Sequence, residues 1–195
     1  MFTGLLDDAY AHLASLCRTG MGLSSPNPNV AAAIYSADGN LIADGFHNRR
    51  ESLDHAEVVA LKKAGDSARG ATIVVSLEPC AHTGATPPCT QAIIDAGIAT
   101  VLFAVKDPNP IAAGGAQVLA DAGIEVLYQP SAELEFAQRA WLHKQRDGAT
   151  GPGKKVHGAC HRGRQGQARQ RPDKSTHNAP DHGVQAQALE RLKQH

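Results

Sequence analysis

Three side chains suited to binding a soft metal ion sit at widely separated element junctions, and the fold must carry those junctions to one place. Cys80 follows residues 71–77, an apolar, largely β-branched run without alternation, as expected of a strand buried on both faces. Cys89 follows Pro87-Pro88, where proline suits the first turn of a helix, and Ile93 and Ile94 lie on the inward side of the segment it opens. His55 follows Asp54, a capping residue for a helix running to about residue 64, with Val58, Val59 and Leu61 on its buried side and Gly65 as its stop. A strand that ends in a loop and leads into a helix belongs to an open α/β sheet, which gathers its ligands at the carboxyl ends of its strands. Meeting there, one His and two Cys make a three-ligand zinc site whose fourth position stays open for water, the arrangement of a catalytic site. A Cys pair with this separation, taken alone, also suits a closed structural site.

Glu57 weighs toward catalysis. A carboxylate two residues past a His ligand, and not itself a ligand, is placed to take a proton from activated water and return it to a leaving amine. A His-x-Glu followed by Pro-Cys-x-x-Cys is the signature of zinc deaminases acting on nucleobases. In this chain eight residues separate Cys80 from Cys89 instead of two. The position of Cys89 at a helix start favours the thiolate that a metal needs. His55 and Glu57, two residues apart, can address one ion only at the very start of the helix, where side chains flank the axis.

The longer loop narrows the reading. Glu78-Pro79-Cys80, His82, Gly84 and Thr86-Pro87-Pro88-Cys89, with Ser25-Pro26-Asn27-Pro28-Asn29-Val30, His47, Asp107-Pro108-Asn109-Pro110 and Ala122-Gly123-Ile124-Glu125-Val126, fall in one order. That order resembles the deaminase domain of the bifunctional riboflavin biosynthesis enzyme, diaminohydroxyphosphoribosylaminopyrimidine deaminase, over about residues 5–146. The resemblance implies an α/β/α cytidine deaminase-like fold and one catalytic Zn2+ held by His55, Cys80 and Cys89. It implies Glu57 as the proton carrier and substrate contacts from Asn27, His47, Ala56, His82, Asp107 and Asn109. The implied reaction is hydrolytic deamination of a phosphoribosylaminopyrimidine with release of ammonia. Two departures stand out. Ala31 replaces a Gly common in the family, which is expected to tighten the approach of the first strand to the ligand. Ala85 replaces the Lys or Arg that helps hold the ribose phosphate, a loss of about 1.5–3 kcal/mol if no other cation serves. Arg49, Arg50 and Lys106 are the candidate substitutes.

Residues 3–17 place Leu5, Leu6, Ala9, Leu13 and Leu16 at helical spacing, with Asp7 and Asp8 in the first turns, where the helix dipole favours acids, and Cys17 on the buried face. Two prolines then restrict the backbone around Asn27, which from the loop alone is either a turn former or a pinned recognition group. Residues 30–35 and 41–46 read as strands joined by the hairpin signal Ala37-Asp38-Gly39-Asn40. His47 opens a polar loop, where a lone His is ordinarily solvated. Strands over 100–105 and 124–128 alternate with helices over 89–96, 112–122 and 131–146, the last carrying Leu134, Phe136, Ala137, Ala140 and Trp141. Such alternation predicts parallel pairing with right-handed crossovers, hence a five-stranded mixed sheet, antiparallel at the first hairpin, with helices on both faces.

Charge divides the chain near residue 146. Residues 1–146 carry ten Lys or Arg against fifteen Asp or Glu, whereas residues 147–195 carry nine against four and have no aromatic residue. The acidic first part argues against a nucleic-acid surface, which needs basic patches. The second part has too little apolar surface to offset its ordering entropy and is expected to be a disordered basic tail in place of the family's reductase domain. No nicotinamide cofactor is therefore expected, and a reading-frame change after the deaminase domain is the suspected origin. His157, Cys160 and His161 in that tail are metal ligands or an incidental cluster. Four scattered cysteines, no signal-peptide pattern and no apolar run of membrane-spanning length predict a cytoplasmic protein with a small-molecule substrate and no membrane partner. A homo-oligomer stays open. Two other readings compete: a deaminase of another base, nucleoside or transfer-RNA adenosine, and an inactive truncated product in which zinc serves stability alone.

Overall fold

The computed structural model describes residues 4–109 and 112–150. Residues 147–150, expected to open the disordered tail, are helical. The expectations for the tail beyond residue 150, including disorder, the cluster at residues 157–161 and the reading-frame change, lie outside the described residues, as does Pro110. The elements in order are α1 (Gly4–Thr19), β1 (Ala31–Tyr35), β2 (Leu41–Phe46), α2 (Ala56–Ala64) with a 3-10 turn (Gly65–Ala68), β3 (Thr72–Val75), α3 (Cys89–Asp95), β4 (Thr100–Phe103), α4 (Gly115–Asp121), β5 (Glu125–Tyr128) and α5 (Ala132–Thr150). The last helix runs past the expected domain end at residue 146.

The five strands form one mixed sheet in the order β2-β1-β3-β4-β5. The hairpin pairs β1 with β2 antiparallel, and β3, β4 and β5 are parallel, as expected. The β1–β3 pair is also antiparallel, with Ala32 opposite Val75, which the hairpin alone did not announce. Both neighbours of β1 run against it, so β2 and β3 share a direction and the α2 crossover passes over β1. The rule that strands joined through helices run parallel therefore holds for β2 to β5, with β1 the one reversed strand.

Helices cover both faces. Ala31, Ala33, Val74, Leu102 and Leu127 pack with Leu13, Ala14 and Cys17 of α1 and Leu134 and Leu142 of α5. Ala32, Ile34, Ile73, Val75 and Val101 pack with Ala56, Ala60 and Leu61 of α2, Ile93 of α3 and Leu119 of α4. Successive residues of β1 and β3 thus belong to opposite cores, which is why those strands read as unbroken apolar runs. Each Leu or Ile fully buried in this way contributes about 1.5–3 kcal/mol relative to exposure.

Several boundaries move for identifiable reasons. The strands expected over 71–77 and 100–105 are shorter, but Ser76 N–H donates to Ala31 O, Ala104 N–H to Val75 O and Glu78 N–H to Val105 O, prolonging the ladder toward the loops. Helix α4 starts at Gly115 and not at 112, because the amides of Ala112 and Ala113 close a turn onto Asn109 O and Gly114 then adopts φ 93°. On α2 the buried residues are Ala56, Glu57, Ala60, Leu61 and Ala64, while Val58 and Val59 are half-buried. On α5 the buried stripe is Leu134, Gln138 and Leu142; Phe136 is 61% exposed.

Two glycines let elements approach closely enough to shape one end of the sheet. A Cβ on Gly45 of β2 would lie 2.8 Å from both the Ala56 carbonyl oxygen and Val59 Cβ, so the start of α2 rests directly on that strand. A Cβ on Gly115 would lie 1.7 Å from the Pro79 carbonyl oxygen, so α4 begins against the backbone that carries Cys80. Among the described residues no helix is long and apolar enough to cross a membrane.

Candidate active site

The start of β1, the end of β2 and the carboxyl ends of β3 and β4 lie on one edge of the sheet, and the first turns of α2 and α3 point there. His55 is the N-cap residue of α2, with extended backbone angles (φ −74°, ψ 163°) and no side-chain capping bond. Asp54, the expected cap, lies one residue too early. Its carboxylate instead accepts from Lys62 Nζ at 2.6 Å, and that bond holds it below the usual carboxylate range. The break in helical geometry at His55 lets its ring leave the axis on the same side as Glu57, two residues on. Cys80 leaves β3 through Pro79, and Cys89 opens α3, whose cap is Pro88 in extended conformation.

The ligand atoms of His55, Cys80 and Cys89 all lie within 4.8 Å of one another. His55 Nδ1 is 3.2 Å from Cys89 Sγ and 3.6 Å from Cys80 Sγ. A tetrahedral zinc ion with ordinary Zn–N and Zn–S bonds separates its nitrogen and sulfur ligands by roughly 3.6 Å, so these residues fit the ion in both donor type and spacing. Their protonation points the same way. The hydrogen bond from the Cys89 thiol, with help from His55 and the Cys89 N–H, lowers the Cys80 thiol below its ordinary range. Cys89, hydrogen-bonded to Cys80 and buried, is pushed up in turn. Two buried sulfurs this close share a proton unless a cation allows both to be thiolates.

A cavity of about 360 Å3 opens beside these ligands. Glu57 lines it, is 3% exposed, and its Oε2 is buried without a hydrogen-bond partner. Burial raises the Glu57 carboxyl above the usual range. On one wall, His47 Nδ1 is 2.7 Å from the Asp54 carbonyl oxygen, which can only accept, so this nitrogen carries the proton. His47 Nε2 then accepts from Asn27 Nδ2 at 3.0 Å, and Asn27 Oδ1 accepts from Arg49 Nη1 at 3.2 Å. Burial lowers the pKa of His47, in keeping with that neutral tautomer. His47 is therefore 3% exposed and locked, contrary to what a His in a polar loop suggests. Its ring meets that of His55 edge-on at 5.3 Å.

His82, Asp107 and Asn109 also line the cavity. His82 Nδ1 is buried without a partner, and burial raises the Asp107 carboxyl. Ala56 does not line the cavity; it is fully buried in the core. Cys89, also fully buried, lies behind the lining. Ala31 is not on the cavity surface either, although Val30 is, so the extra methyl relative to Gly tightens the core and not the approach to a ligand. Of the three cations named as substitutes for a basic residue at position 85, Arg49 lines the cavity and Arg50 and Lys106 do not.

Three contributors had escaped notice. Glu78 lines the cavity while its Oε2 accepts from Asp107 N–H (3.3 Å) and its Oε1 from Gly114 N–H and Ala116 N–H (both 3.2 Å). It thereby fastens the loop that carries Asp107 and Asn109. Its place in Glu-Pro-Cys was a usable signal. Trp141 and Gln145 reach the cavity from α5, and the single Trp of the chain was a signal for the first.

Comparison with known proteins agrees with this geometry. Residues 6–105 match the cytidine and deoxycytidylate deaminase zinc-binding region. The riboflavin biosynthesis protein RibD of Corynebacterium ammoniagenes is 54% identical over 122 residues, 62% of this chain and 36% of that protein. Among solved structures, a diaminohydroxyphosphoribosylaminopyrimidine deaminase/5-amino-6-(5-phosphoribosylamino)uracil reductase from Thermotoga maritima superposes with a TM-score of 0.69 at 35% identity, covering 74% of this chain and 42% of that one. RibD of Acinetobacter baumannii gives 0.68 at 41% identity, covering 74% and 41%. The chain thus spans well under half the length of these relatives.

Proposed function

The chain belongs to the family of the cytidine and deoxycytidylate deaminase zinc-binding region, and on that premise we propose that it hydrolyses the ring amine of 2,5-diamino-6-(5-phosphoribosylamino)pyrimidin-4(3H)-one. The products are ammonia and 5-amino-6-(5-phosphoribosylamino)uracil, a step of riboflavin biosynthesis. The observation that carries the reading is the unpartnered, buried Glu57 Oε2 facing a cavity that His55 and Cys80 also line.

His55 Nδ1 and the sulfurs of Cys80 and Cys89 would hold one zinc ion, which when bound supplies Lewis-acid activation of water near neutral pH. Glu57 Oε2 takes the proton of the attacking water and passes it to the amine nitrogen as the carbon–nitrogen bond breaks. An oxygen with no competing partner is free for that traffic, and a dry setting strengthens every charge interaction it makes. The Asn27–His47 pair, already bonded to each other and to Asp54 O, orients the ligand from one wall without reorganising. His82, Asp107 and Asn109 address it from the other, with Glu78 holding the loop that carries Asp107 and Asn109. A catalytic pair of thiolates suits a reducing compartment.

The test is zinc content together with ammonia release from the phosphoribosylaminopyrimidine, for the wild type and Glu57→Gln. The expected result is one zinc per chain in both proteins and a loss of turnover of about 10²–10⁴-fold or more in the variant, the range for removing a general acid–base group. Substantial ammonia release by Glu57→Gln contradicts the role of Glu57. A zinc-loaded wild type without activity on this substrate contradicts the substrate.

A further inference from the structure

Resting on the deamination reading above, we infer that Arg49 is the side chain that recognises the substrate's phosphate, and so determines specificity for phosphorylated over unphosphorylated pyrimidines. The cavity is sorted by charge. Glu57, Glu78 and Asp107 supply its carboxylates, and among the described residues Arg49 is the one lining residue with a permanent positive charge. Ala85, which also lines the cavity, brings no charge. Lys106 lies over the Tyr128 ring, 4.8 Å from its centroid, and is not part of the lining. A dianionic phosphate placed near Glu78 or Asp107 would meet like charge; placed at Arg49 it meets a fork of donors that matches its oxygens.

The position of Arg49 favours this role in a second way. Its Nη1 donates to Asn27 Oδ1, Asn27 is bonded to His47, and the His47 ring touches that of His55. The guanidinium is thus held at the solvent end of a relay whose inner end is the metal-ligating imidazole. Arg49 is exposed while Asn27 is half-buried and His47 buried, so polarity along this wall grades from a shielded interior to a hydrated mouth. A ligand with a flat ring at one end and a phosphate at the other fits that gradient in one orientation, with its amine inward. One guanidinium N–H is spent on Asn27, and an arginine has five, leaving several for phosphate oxygens.

The experiment compares kcat/KM for the phosphoribosylaminopyrimidine and its dephosphorylated riboside in the wild type, Arg49→Gln and Arg49→Lys. The readout is the ratio between the two compounds within each protein, which cancels any general loss of activity or folded fraction. The wild type is expected to prefer the phosphorylated compound. Arg49→Gln should lower that preference by about tenfold or more, mainly through KM, the usual size of a lost charge-assisted hydrogen bond. Arg49→Lys should keep part of the preference as a point charge. If Arg49 serves only to orient Asn27, Arg49→Gln weakens turnover of both compounds equally, and an unchanged ratio overturns the inference. A wild type that deaminates both compounds without preference overturns it too, while leaving the proposed reaction standing. Failure of the wild type on either compound removes the substrate reading, and the phosphate role with it.

Discussion

Replacing Gly115 by alanine disturbs the site mechanically without changing the chemistry of any functional side chain. The new Cβ would lie 1.7 Å from the Pro79 carbonyl oxygen, 2.9 Å from its carbonyl carbon and 3.3 Å from Thr90 Cγ2. Non-bonded carbon and oxygen settle at roughly 3.3 Å or more, so about 1.6 Å must be found by moving main chain. Neither partner is the loose end of a flexible side chain. One is the first turn of α4, and the other is the peptide that leads into Cys80. Overpacking costs about 1–3 kcal/mol and occasionally more, and a backbone collision of this depth belongs at about 3 kcal/mol or above. Gly114 supplies the control. Its φ is 93° and a Cβ there would meet nothing within 4 Å, so Gly114→Ala bears only left-handed strain of about 1–2 kcal/mol. Urea unfolding and zinc stoichiometry after dialysis measure both variants. Gly115→Ala is expected to lose about 3 kcal/mol or more and to release metal because Cys80 shifts, whereas Gly114→Ala loses less and stays fully loaded. A Gly115→Ala protein within about 0.5 kcal/mol of the wild type, with one zinc bound, would refute the steric reasoning.

Other perturbations have equally definite outcomes. Glu78→Ala removes the acceptor of three amides, so hydrogen exchange at Asp107, Gly114 and Ala116 should accelerate while that of β3 stays slow; unchanged exchange at all three means the carboxylate is not what fastens the loop. Ser76→Ala takes the acceptor from the buried Ala31 N–H, now bonded at 3.0 Å, and should cost about 1–3 kcal/mol in denaturant unfolding; no change in midpoint argues that the amide finds another partner. Cys17 is fully buried, its thiol donates to Asn29 O, and burial pushes it up to about 11. It should resist alkylation in the native protein and react in denaturant, as peptide mapping by mass spectrometry would reveal; rapid native labelling would mean that α1 opens readily.

Much of the fold was legible because the relevant signals are local. The hairpin between β1 and β2, the unbroken apolar runs of β3 and β4 and the stop at Gly65 are written in consecutive residues. So were the three thiol and imidazole donors, since each stands at an element boundary that its neighbours mark. What the sequence concealed depends on contacts across long separations. His47 looks solvated from its polar neighbours, yet Asp54 O and Asn27 bind both ring nitrogens. Nothing local shows that Gly45 admits α2 closely enough to place Val59 directly over β2, or that Ala60 and Ala64 are the buried residues of that helix while Val58 and Val59 stay half-buried. Nothing in the order of residues places Pro79 against Gly115, or picks Arg49 over Arg50 and Lys106 as the cation of the cavity. Phe136 is as apolar as any core residue, but α5 turns it outward, over Arg139, whose guanidinium lies 3.9 Å from the ring centroid.

The central claim is that His55, Cys80 and Cys89 close three corners of one zinc ion and leave the fourth to solvent within reach of Glu57. X-ray absorption at the zinc edge reads that coordination shell directly. The account predicts two sulfur scatterers at about 2.3 Å and two lighter ones at about 2.0–2.1 Å, one being the imidazole and the other exchangeable. A shell with three or four sulfurs, or one in which a fourth protein ligand replaces the exchangeable atom, would contradict it.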